Sequence, residues 1–242
     1  MNQYGLIGYP LTHSFSKKYF EEKFRRENIT GCRYDLFPLA SIEELPGLLK
    51  AYPELRGINV TIPFKESVMK FLDKTDEAAR QIGAVNCLHI LNGKLFGYNT
   101  DAIGFECSLR NFSNPFPVQA FVLGTGGSSK AVVYVLNKLK IPYLIVSRNR
   151  QRHVITYPEI EKHLKDSNLF INCTPSGMYP EIHHAPAIPY PSLTPKDYLF
   201  DLVYNPEETL FLKRGKDKGA AVKNGMEMLR IQAEESWNIW NR

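Results

Sequence analysis

The chain has 242 residues, a formal net charge of +5 and 43% hydrophobic residues. This composition is usual for a folded globular protein and argues against a disordered chain. The basic residues are spread along the sequence, whereas a nucleic-acid-binding protein usually gathers them on one face. We therefore expect no nucleic-acid partner.

The amino-terminal residues and the cysteines indicate where in the cell the protein is expected. Residues 1–10 lack the basic and apolar regions of a secretory signal, and no run approaches the roughly 18 apolar residues of a membrane span. The four cysteines form no CxxC pair and the six histidines form no cluster, so the sequence predicts neither a disulfide framework nor a metal site. We expect reduced thiols, no membrane partner and a cytoplasmic location.

The first part of the chain alternates strand-like and helical patterns, which predicts βαβ units with a parallel sheet. In chain order the patterns predict a strand over 4–8, a helix over 16–28, a strand over 32–37, a helix over 41–51, a strand over 57–62 and a helix over 64–73.

A hairpin is predicted next. Strands over 84–91 and 94–100 flank Asn92-Gly93, a dipeptide that supplies the positive φ angles of a two-residue turn. A helix over 101–111 follows. The segment SNPFP (113–117) is predicted to be a linker, because its two prolines oppose regular structure.

The second part of the chain shows the same alternation. Its patterns predict strands over 120–124, 143–147, 168–173 and 198–204, and helices over 128–140, 158–165, 207–218 and 225–240. Two α/β domains with a cleft between them are the simplest architecture, with a cofactor on one domain and a substrate on the other.

A glycine-rich loop, GTGGSS (124–129), lies between a predicted strand and a predicted helix. In that context Gly124 permits the tight turn, Gly126 lets the backbone approach a pyrophosphate, and the helix N-terminus attracts the anion. Ser129 stands where the usual pattern has Gly or Ala. A strand-to-helix turn without a ligand is the alternative.

Arginines follow the next predicted strand, about twenty residues further on. An NAD-binding fold usually has Asp or Glu there, but this chain has Arg148, Arg150 and Arg152. Guanidinium groups pair bidentately with phosphate, so the pattern favours the 2′-phosphate of NADP. The alternative is a solvated basic loop.

Several motifs resemble, in order and spacing, the signatures of the shikimate dehydrogenase family, and they cover essentially the whole chain. They are PLTHSFS (10–16), NVTIPFK (59–65), GAVNCL (83–88), GYNTDAIG (97–104), NCTPSGM (172–178), DLVYNP (201–206) and NGMEMLRIQA (224–233). The resemblance implies an N-terminal substrate-binding and catalytic domain (1–102 plus 225–242) and a Rossmann-like NADP-binding domain (103–224).

The resemblance also implies the substrate-binding residues. The family holds the substrate carboxylate with hydroxyls such as those of Ser14 and Ser16, and further contacts would come from Thr61, Asn86, Tyr204 and Gln232. Neutral side chains of this kind suit the ring hydroxyls of a polyhydroxylated acid. Without the resemblance, Ser14 and Ser16 would be interpreted as loop or capping serines. Thr61, Asn86 and Gln232 would be interpreted as core polar groups bonded to backbone.

Two residues are implied for catalysis. Lys65 would act as the acid/base, because hydride transfer from an alcohol requires a group that removes the hydroxyl proton. Asp101 would be its hydrogen-bonding partner on the substrate hydroxyl. From the residues alone, Asp101 is equally a helix N-cap and Lys65 an exposed lysine of a first turn.

The cofactor residues are implied in the same way. The family pattern assigns the pyrophosphate, the adenosine phosphate and the path to the nicotinamide to Gly124, Thr125, Gly126, Gly127, Ser128, Ser147, Arg148, Arg152, Thr174, Leu202, Gly225 and Met228, with Glu77 as a weaker match. The chain departs from the pattern between Arg152 and residue 168, where a crossover helix is predicted to be trimmed.

The predicted function is the reversible NADP-linked reduction of 3-dehydroshikimate to shikimate, by a monomer or a homodimer. Two alternatives stay open. The same fold could serve quinate or NAD, because selection between close ring analogues rests on one or two hydrogen bonds. A non-catalytic sensor of the same acid is the rival from another class, and retention of both Lys65 and Asp101 speaks against it.

Overall fold

The computed structural model describes residues 1–11, 15–113 and 116–242. Their contacts divide the chain into two compact units. The first unit comprises Met1–Thr100 and Ala233–Arg242, and the second comprises Asp101–Gln232. The functional domain bounds given above, and the cleft, stay predictions.

The first unit is built on a mixed six-stranded sheet of order β2-β1-β3-β5-β6-β4. Strands β1, β2 and β3 are parallel, and β5 runs antiparallel to both β3 and β6. Its elements are β1 (Asn2–Gly8), α1 (Phe15–Arg26), β2 (Cys32–Pro38), α2 (Leu45–Ala51), β3 (Leu55–Val60), β4 (Lys74–Thr75), α3 (Glu77–Ile82), β5 (Cys87–Leu91) and β6 (Lys94–Tyr98).

The second unit is built on a six-stranded sheet whose strands all run parallel, in the order β12-β11-β10-β7-β8-β9. Its elements are α4 (Thr100–Phe112), β7 (Gln119–Leu123), α5 (Gly127–Lys138), β8 (Tyr143–Ser147), β9 (Val154–Thr156), β10 (Asn168–Asn172), β11 (Tyr198–Asp201), α6 (Leu210–Lys216), β12 (Ala221–Lys223) and α7 (Met226–Trp240). The boundary between the units falls at the start of α4 and within α7.

The predicted fold class is confirmed: two α/β units, the second a parallel Rossmann-like sheet. The hairpin is confirmed as well, because β5 and β6 are antiparallel and Asn92 and Gly93 have φ angles of 51° and 73°. Among the strands and α-helices given above, β4, α3, β9 and β12 have no counterpart in the sequence prediction.

The helix predicted over 64–73 is wrong, since the structure has a 3₁₀ helix over Ser67–Phe71. The backbone explains the difference. The carbonyl of Lys65 accepts the N–H of Val85 at 2.7 Å and so serves a neighbouring segment. The N–H of Met69, which would complete an α-turn on Lys65, donates instead to Glu66 at 3.2 Å.

The connection from β8 to β10 bears out the expected trimming. Residues 148–167 contain a short edge strand, β9, and a 3₁₀ helix over Tyr157–His163, but no α-helix. The prediction of a short α-helix over 158–165 is therefore wrong in its type. Strand β9 still pairs parallel to β8, so residues 148–153 turn back along the edge of the sheet.

An aromatic cluster fills the core on one face of the first sheet. The ring of Trp240 stacks on Tyr4 with centroids 5.0 Å apart, and Phe20 stacks on Tyr34 at 4.6 Å. The indole N–H of Trp240 donates to the carbonyl of Leu88 at 2.9 Å. The C-terminal half of α7 is thereby fixed to this unit.

None of the helices in the described part of the chain combines the length and the apolar character that crossing a bilayer requires. Among the same residues, no group of three or more His, Cys, Asp or Glu side chains is arranged to hold a metal ion.

Candidate functional site

Asn86 and Thr100 join two of the motifs within the first unit. The side-chain oxygen of Asn86 accepts the backbone N–H of Thr100 at 2.7 Å, and its amide nitrogen donates to the Thr100 hydroxyl at 3.0 Å. Both residues are buried. The start of α4 is therefore held against the end of the GAVN segment, and Asp101 is the next residue of that helix.

A chain of buried polar side chains lies behind this pair. The hydroxyl of Tyr34 donates to Asn59 at 2.9 Å, and the amide of Asn59 donates to Ser236 at 2.9 Å. Ser236 lies 3.3 Å from the hydroxyl of Thr100. Burial raises the pKa of Tyr34 well above its usual value, and Ser16 opposes that shift. One network thus reaches from Tyr34 to the start of α4.

Two further predicted residues follow β3. The backbone N–H of Thr61 donates to Ile7 at 2.9 Å, and Thr61 is half-buried. Lys65 is half-buried and is fixed through its carbonyl to Val85, next to Asn86. The first unit therefore brings Thr61, Lys65 and Asn86 onto adjacent segments.

Asp101 and Gln232 belong to the second unit. Asp101 is 6% exposed in the first turn of α4, and Gln232 is 7% exposed in α7. These helices approach closely at Gly104, where an added Cβ would lie 2.6 Å from the carbonyl oxygen of Met228 and 3.3 Å from Cβ of Gln232. A larger residue at Gly104 would push the two helices apart.

The glycine loop has the backbone that a dinucleotide needs. Gly124 has a φ of 115°, a conformation that L side chains rarely adopt. Gly126 is the N-cap of α5, and an added Cβ there would meet nothing within 4 Å. Gly127 and Ser128 begin the helix. An open backbone before a helix N-terminus fits a pyrophosphate, so these residues suit NADP.

Other predicted cofactor residues lie at the carboxyl ends of the same parallel strands. Thr174 follows β10, and a Cβ on Gly124 would lie 3.0 Å from its methyl carbon. Leu202 follows β11, and its carbonyl leaves room only for a glycine at Gly225. Tyr204 is half-buried two residues beyond Leu202. Ligands of open parallel sheets bind at this edge.

The basic loop follows β8. Ser147 accepts the N–H of Asn149 at 3.4 Å, and Arg148 and Arg152 are exposed. Burial raises the pKa of the neighbouring Tyr157, and the charge of Arg148 opposes that shift. The loop therefore presents guanidinium groups at the edge of the sheet that carries the glycine loop.

Two predicted residues stand apart. Ser14 lies outside the described residues. Glu77 begins α3 in the first unit, whereas the other predicted cofactor residues belong to the second. Its carboxylate pairs with Arg80 at 2.7 Å, which lowers its pKa. The role of Glu77 in cofactor binding stays a prediction.

The sequence reasoning missed the polar residues that hold the predicted ones in place. Tyr34 and Ser236 gave no motif signal. Asn172 and Asp201 stand inside quoted motifs and had no role assigned to them. Their strand-end positions, 29 residues apart, repeat a second pair formed by Asn168 and Asp197, and this repetition was the available signal.

Comparison with known proteins identifies relatives over nearly the whole chain. Residues 6–88 match the family model for the shikimate dehydrogenase substrate binding domain. The chain is 38% identical over 255 residues to the shikimate dehydrogenase (NADP+) of Clostridium beijerinckii, across 99% of this chain and 92% of that protein.

Solved structures agree over the same length. A chorismate mutase/shikimate 5-dehydrogenase fusion protein from Clostridium acetobutylicum matches with a TM-score of 0.88 and 39% identity, over 100% of this chain and 91% of that one. Shikimate 5-dehydrogenase from Thermus thermophilus, in complex with NADP(H) and shikimate, matches with a TM-score of 0.86 and 30% identity, over 99% and 93%. On this near-complete coverage, the chain belongs to the shikimate dehydrogenase family.

Proposed function

We propose that this chain catalyses the reversible NADP-dependent reduction of 3-dehydroshikimate to shikimate. The observation that supports this proposal is a set of hydrogen bonds in the first unit that join residues of the motifs NVTIPFK (59–65), GAVNCL (83–88) and GYNTDAIG (97–104). Lys65 is bonded through its carbonyl to Val85, and Asn86 holds Thr100. Asp101 follows Thr100 directly in the chain. The neighbouring residues Val85 and Asn86 therefore hold both the segment of Lys65 and Thr100, the residue before Asp101.

Lys65 moves the proton. In the direction of reduction, its ammonium group donates a proton to the oxygen of the ring ketone. In the direction of oxidation, its amine accepts the proton of the ring hydroxyl. Asp101 accepts a hydrogen bond from the same hydroxyl and orients it towards Lys65. NADP, when bound, supplies or accepts the hydride at the ring carbon.

The remaining polar residues bind and orient the ring. Ser14 and Ser16 donate hydroxyls to the carboxylate of the acid. Thr61, Asn86, Tyr204 and Gln232 serve the other oxygens of the ring, where neutral donors and acceptors avoid the desolvation cost of an additional charge.

The cofactor is held by the second unit. Backbone N–H groups at the start of α5, over Gly126 to Ser128, bind the pyrophosphate. Arg148 and Arg152 bind the 2′-phosphate. Thr174, Leu202, Gly225 and Met228 line the path towards the nicotinamide. We also propose a cytoplasmic location, which the four free cysteines of the chain support.

A spectrophotometric assay tests the proposal. We expect shikimate-dependent formation of NADPH from NADP, and the reverse reaction with 3-dehydroshikimate. Turnover that requires quinate or NAD would replace the proposed substrate or cofactor. Binding of shikimate without turnover under any of these conditions would contradict the enzyme function and favour the sensor.

A further inference from the structure

A buried carboxylate lies under the cofactor-binding edge of the second unit. Asp201 is the last residue of β11 and pairs in register with Asn172, the last residue of β10. Both are fully buried. One oxygen of Asp201 accepts the amide of Asn172 at 2.9 Å and the N–H of Val203 at 3.0 Å, and the other accepts the Thr209 hydroxyl at 2.6 Å.

These contacts set the orientation of the Asn172 amide. A carboxylate only accepts hydrogen bonds, so the NH₂ group of Asn172 must face Asp201. The same NH₂ group donates to the carbonyl of Ser176 at 3.2 Å. The oxygen of Asn172 is thereby turned towards Thr174, and the reverse orientation would place the oxygen against two acceptors.

Thr174 is held by that oxygen at two points. Its backbone N–H and its hydroxyl donate to the side chain of Asn172 at 3.0 and 2.6 Å. With its hydroxyl held this way, the methyl group of Thr174 faces Gly124, the first glycine of the cofactor loop. The carboxylate therefore acts on the loop through two intermediate side chains.

We propose that Asp201 is a positioning residue for the cofactor site: by orienting Asn172 it holds Thr174 against Gly124 and keeps the glycine loop in the shape that receives the pyrophosphate. The proposal rests on the proposed function in so far as NADP is the ligand. It assigns roles to Asp201 and Asn172, neither of which is a contact residue of the predicted site.

The chain contains a matched control. Asn168 and Asp197 form the same type of buried pair at the opposite end of β10 and β11, with an Asn-to-Asp distance of 2.8 Å. Asp197 also accepts a threonine hydroxyl, that of Thr194, at 3.0 Å. This pair lies at the amino ends of the strands, away from the glycine loop. Breaking it should therefore lower the stability of the fold without changing the position of the glycine loop.

The test is direct binding of NADPH to the full chain, followed by nucleotide fluorescence. We expect Asn172→Ala and Asp201→Ala each to weaken NADPH binding about tenfold, since each releases Thr174 from its position against Gly124. Shikimate binding, measured by calorimetry without nucleotide, should stay unchanged. Asn168→Ala and Asp197→Ala should lower the melting temperature and leave NADPH affinity unchanged.

A conservative variant and a double variant separate positioning from stability. Asp201→Asn should keep NADPH affinity within about twofold of wild type, because its oxygen can serve Asn172 and Val203 while its NH₂ donates to Thr209. The double variant Asn172→Ala/Asp201→Ala should bind no more weakly than Asn172→Ala, because both changes break one pathway. Where Asp201→Ala does not fold, Thr209→Val, which removes one donor from the carboxylate, takes its place.

Several outcomes would overturn the proposal. Wild-type NADPH affinity in folded Asn172→Ala and Thr209→Val would do so, as would equal losses in the Asn168 and Asp197 variants, or additive losses in the double variant. A wild-type chain that binds NADPH but does not oxidise shikimate would overturn the proposed function alone, because the binding comparison does not require turnover. A wild-type chain that binds no NADPH would overturn both.

Discussion

Asn86 illustrates how a single side chain in this protein serves both structure and site. The family pattern implies a contact with substrate, yet its amide is engaged at both ends with Thr100. Thr100 is the first residue of α4 and Asp101 is the second, so the hydrogen bonds of Asn86 help to position Asp101. A change at Asn86 would therefore disturb the proposed carboxylate as well as the substrate contact, and it would not isolate either role.

Lys65 is the better residue for testing the chemistry. Lys65→Met removes the acid/base and keeps the length of the side chain, so we expect kcat to fall by about 100-fold or more. NADPH affinity should not change. Lys70→Met is the control, because Lys70 is exposed and pairs with Glu43 on the surface. Near-full turnover in Lys65→Met would remove this lysine from the mechanism.

Asp201 should make stability depend on pH. Burial raises the pKa of its carboxyl from 3.8 to about 6. Between these values the folded chain binds a proton that the unfolded chain has lost, so this contribution to stability is full below the unfolded pKa and is lost as pH rises through the folded pKa.

Asp201→Asn removes that dependence. We therefore expect the unfolding free energy of wild type, minus that of Asp201→Asn, to be about 1 kcal/mol smaller at about pH 7 than at about pH 5. Urea titrations at both pH values measure this difference. Equal differences at the two values would mean that the carboxyl is not perturbed.

The C-terminal part of helix α7 packs on one strand of the first unit. Its Trp240 packs directly on Gly57 of β3, where any Cβ would clash with the indole ring. The same helix carries Gln232, a predicted substrate residue, eight positions earlier. Close packing of this kind fixes the C-terminal end of α7 within the first unit.

A pair of glycine variants tests this packing. Gly57→Ala should lower the unfolding free energy by about 1–3 kcal/mol through overpacking. Gly47→Ala is the control: it lies in α2 with nothing within 4 Å of an added Cβ, so it should gain about 0.5–1 kcal/mol. Chemical denaturation measures both, and a neutral Gly57→Ala would contradict the close contact.

The whole chain folds as two units, and the proposed ligands divide between them. The glycine and arginine loops belong to the second unit, whereas the segments around Thr61, Lys65 and Asn86 belong to the first. Each unit has a core of its own. Each ligand should therefore suppress local opening mainly in the unit that binds it.

Hydrogen exchange followed by mass spectrometry tests that division. NADP alone should slow exchange in residues 124–129 and 147–152, and shikimate alone in 59–65 and 83–88, because bound ligand suppresses local opening. Protection of 59–65 by NADP alone, with no change at 124–129, would reverse the proposed assignment of the domains.

Much of the fold could be predicted from local patterns in the sequence. Alternation of strands and helices predicts the α/β class, Asn92-Gly93 predicts the hairpin, and GTGGSS before a helix predicts the turn at Gly124. Each of these rests on backbone preferences that act within a few residues, and such preferences can be read without knowing the partner segments.

Contacts between distant segments lay beyond those patterns. The segment after Pro63 is 3₁₀ because the Lys65 carbonyl is used by Val85, and β9 takes the place of a crossover helix by pairing with β8. Asn172 meets Asp201, and Tyr34 meets Asn59, only once strand register brings them together. A hydrogen bond across 25 or 29 residues has no local signature, since its partner is chosen by the folded sheet.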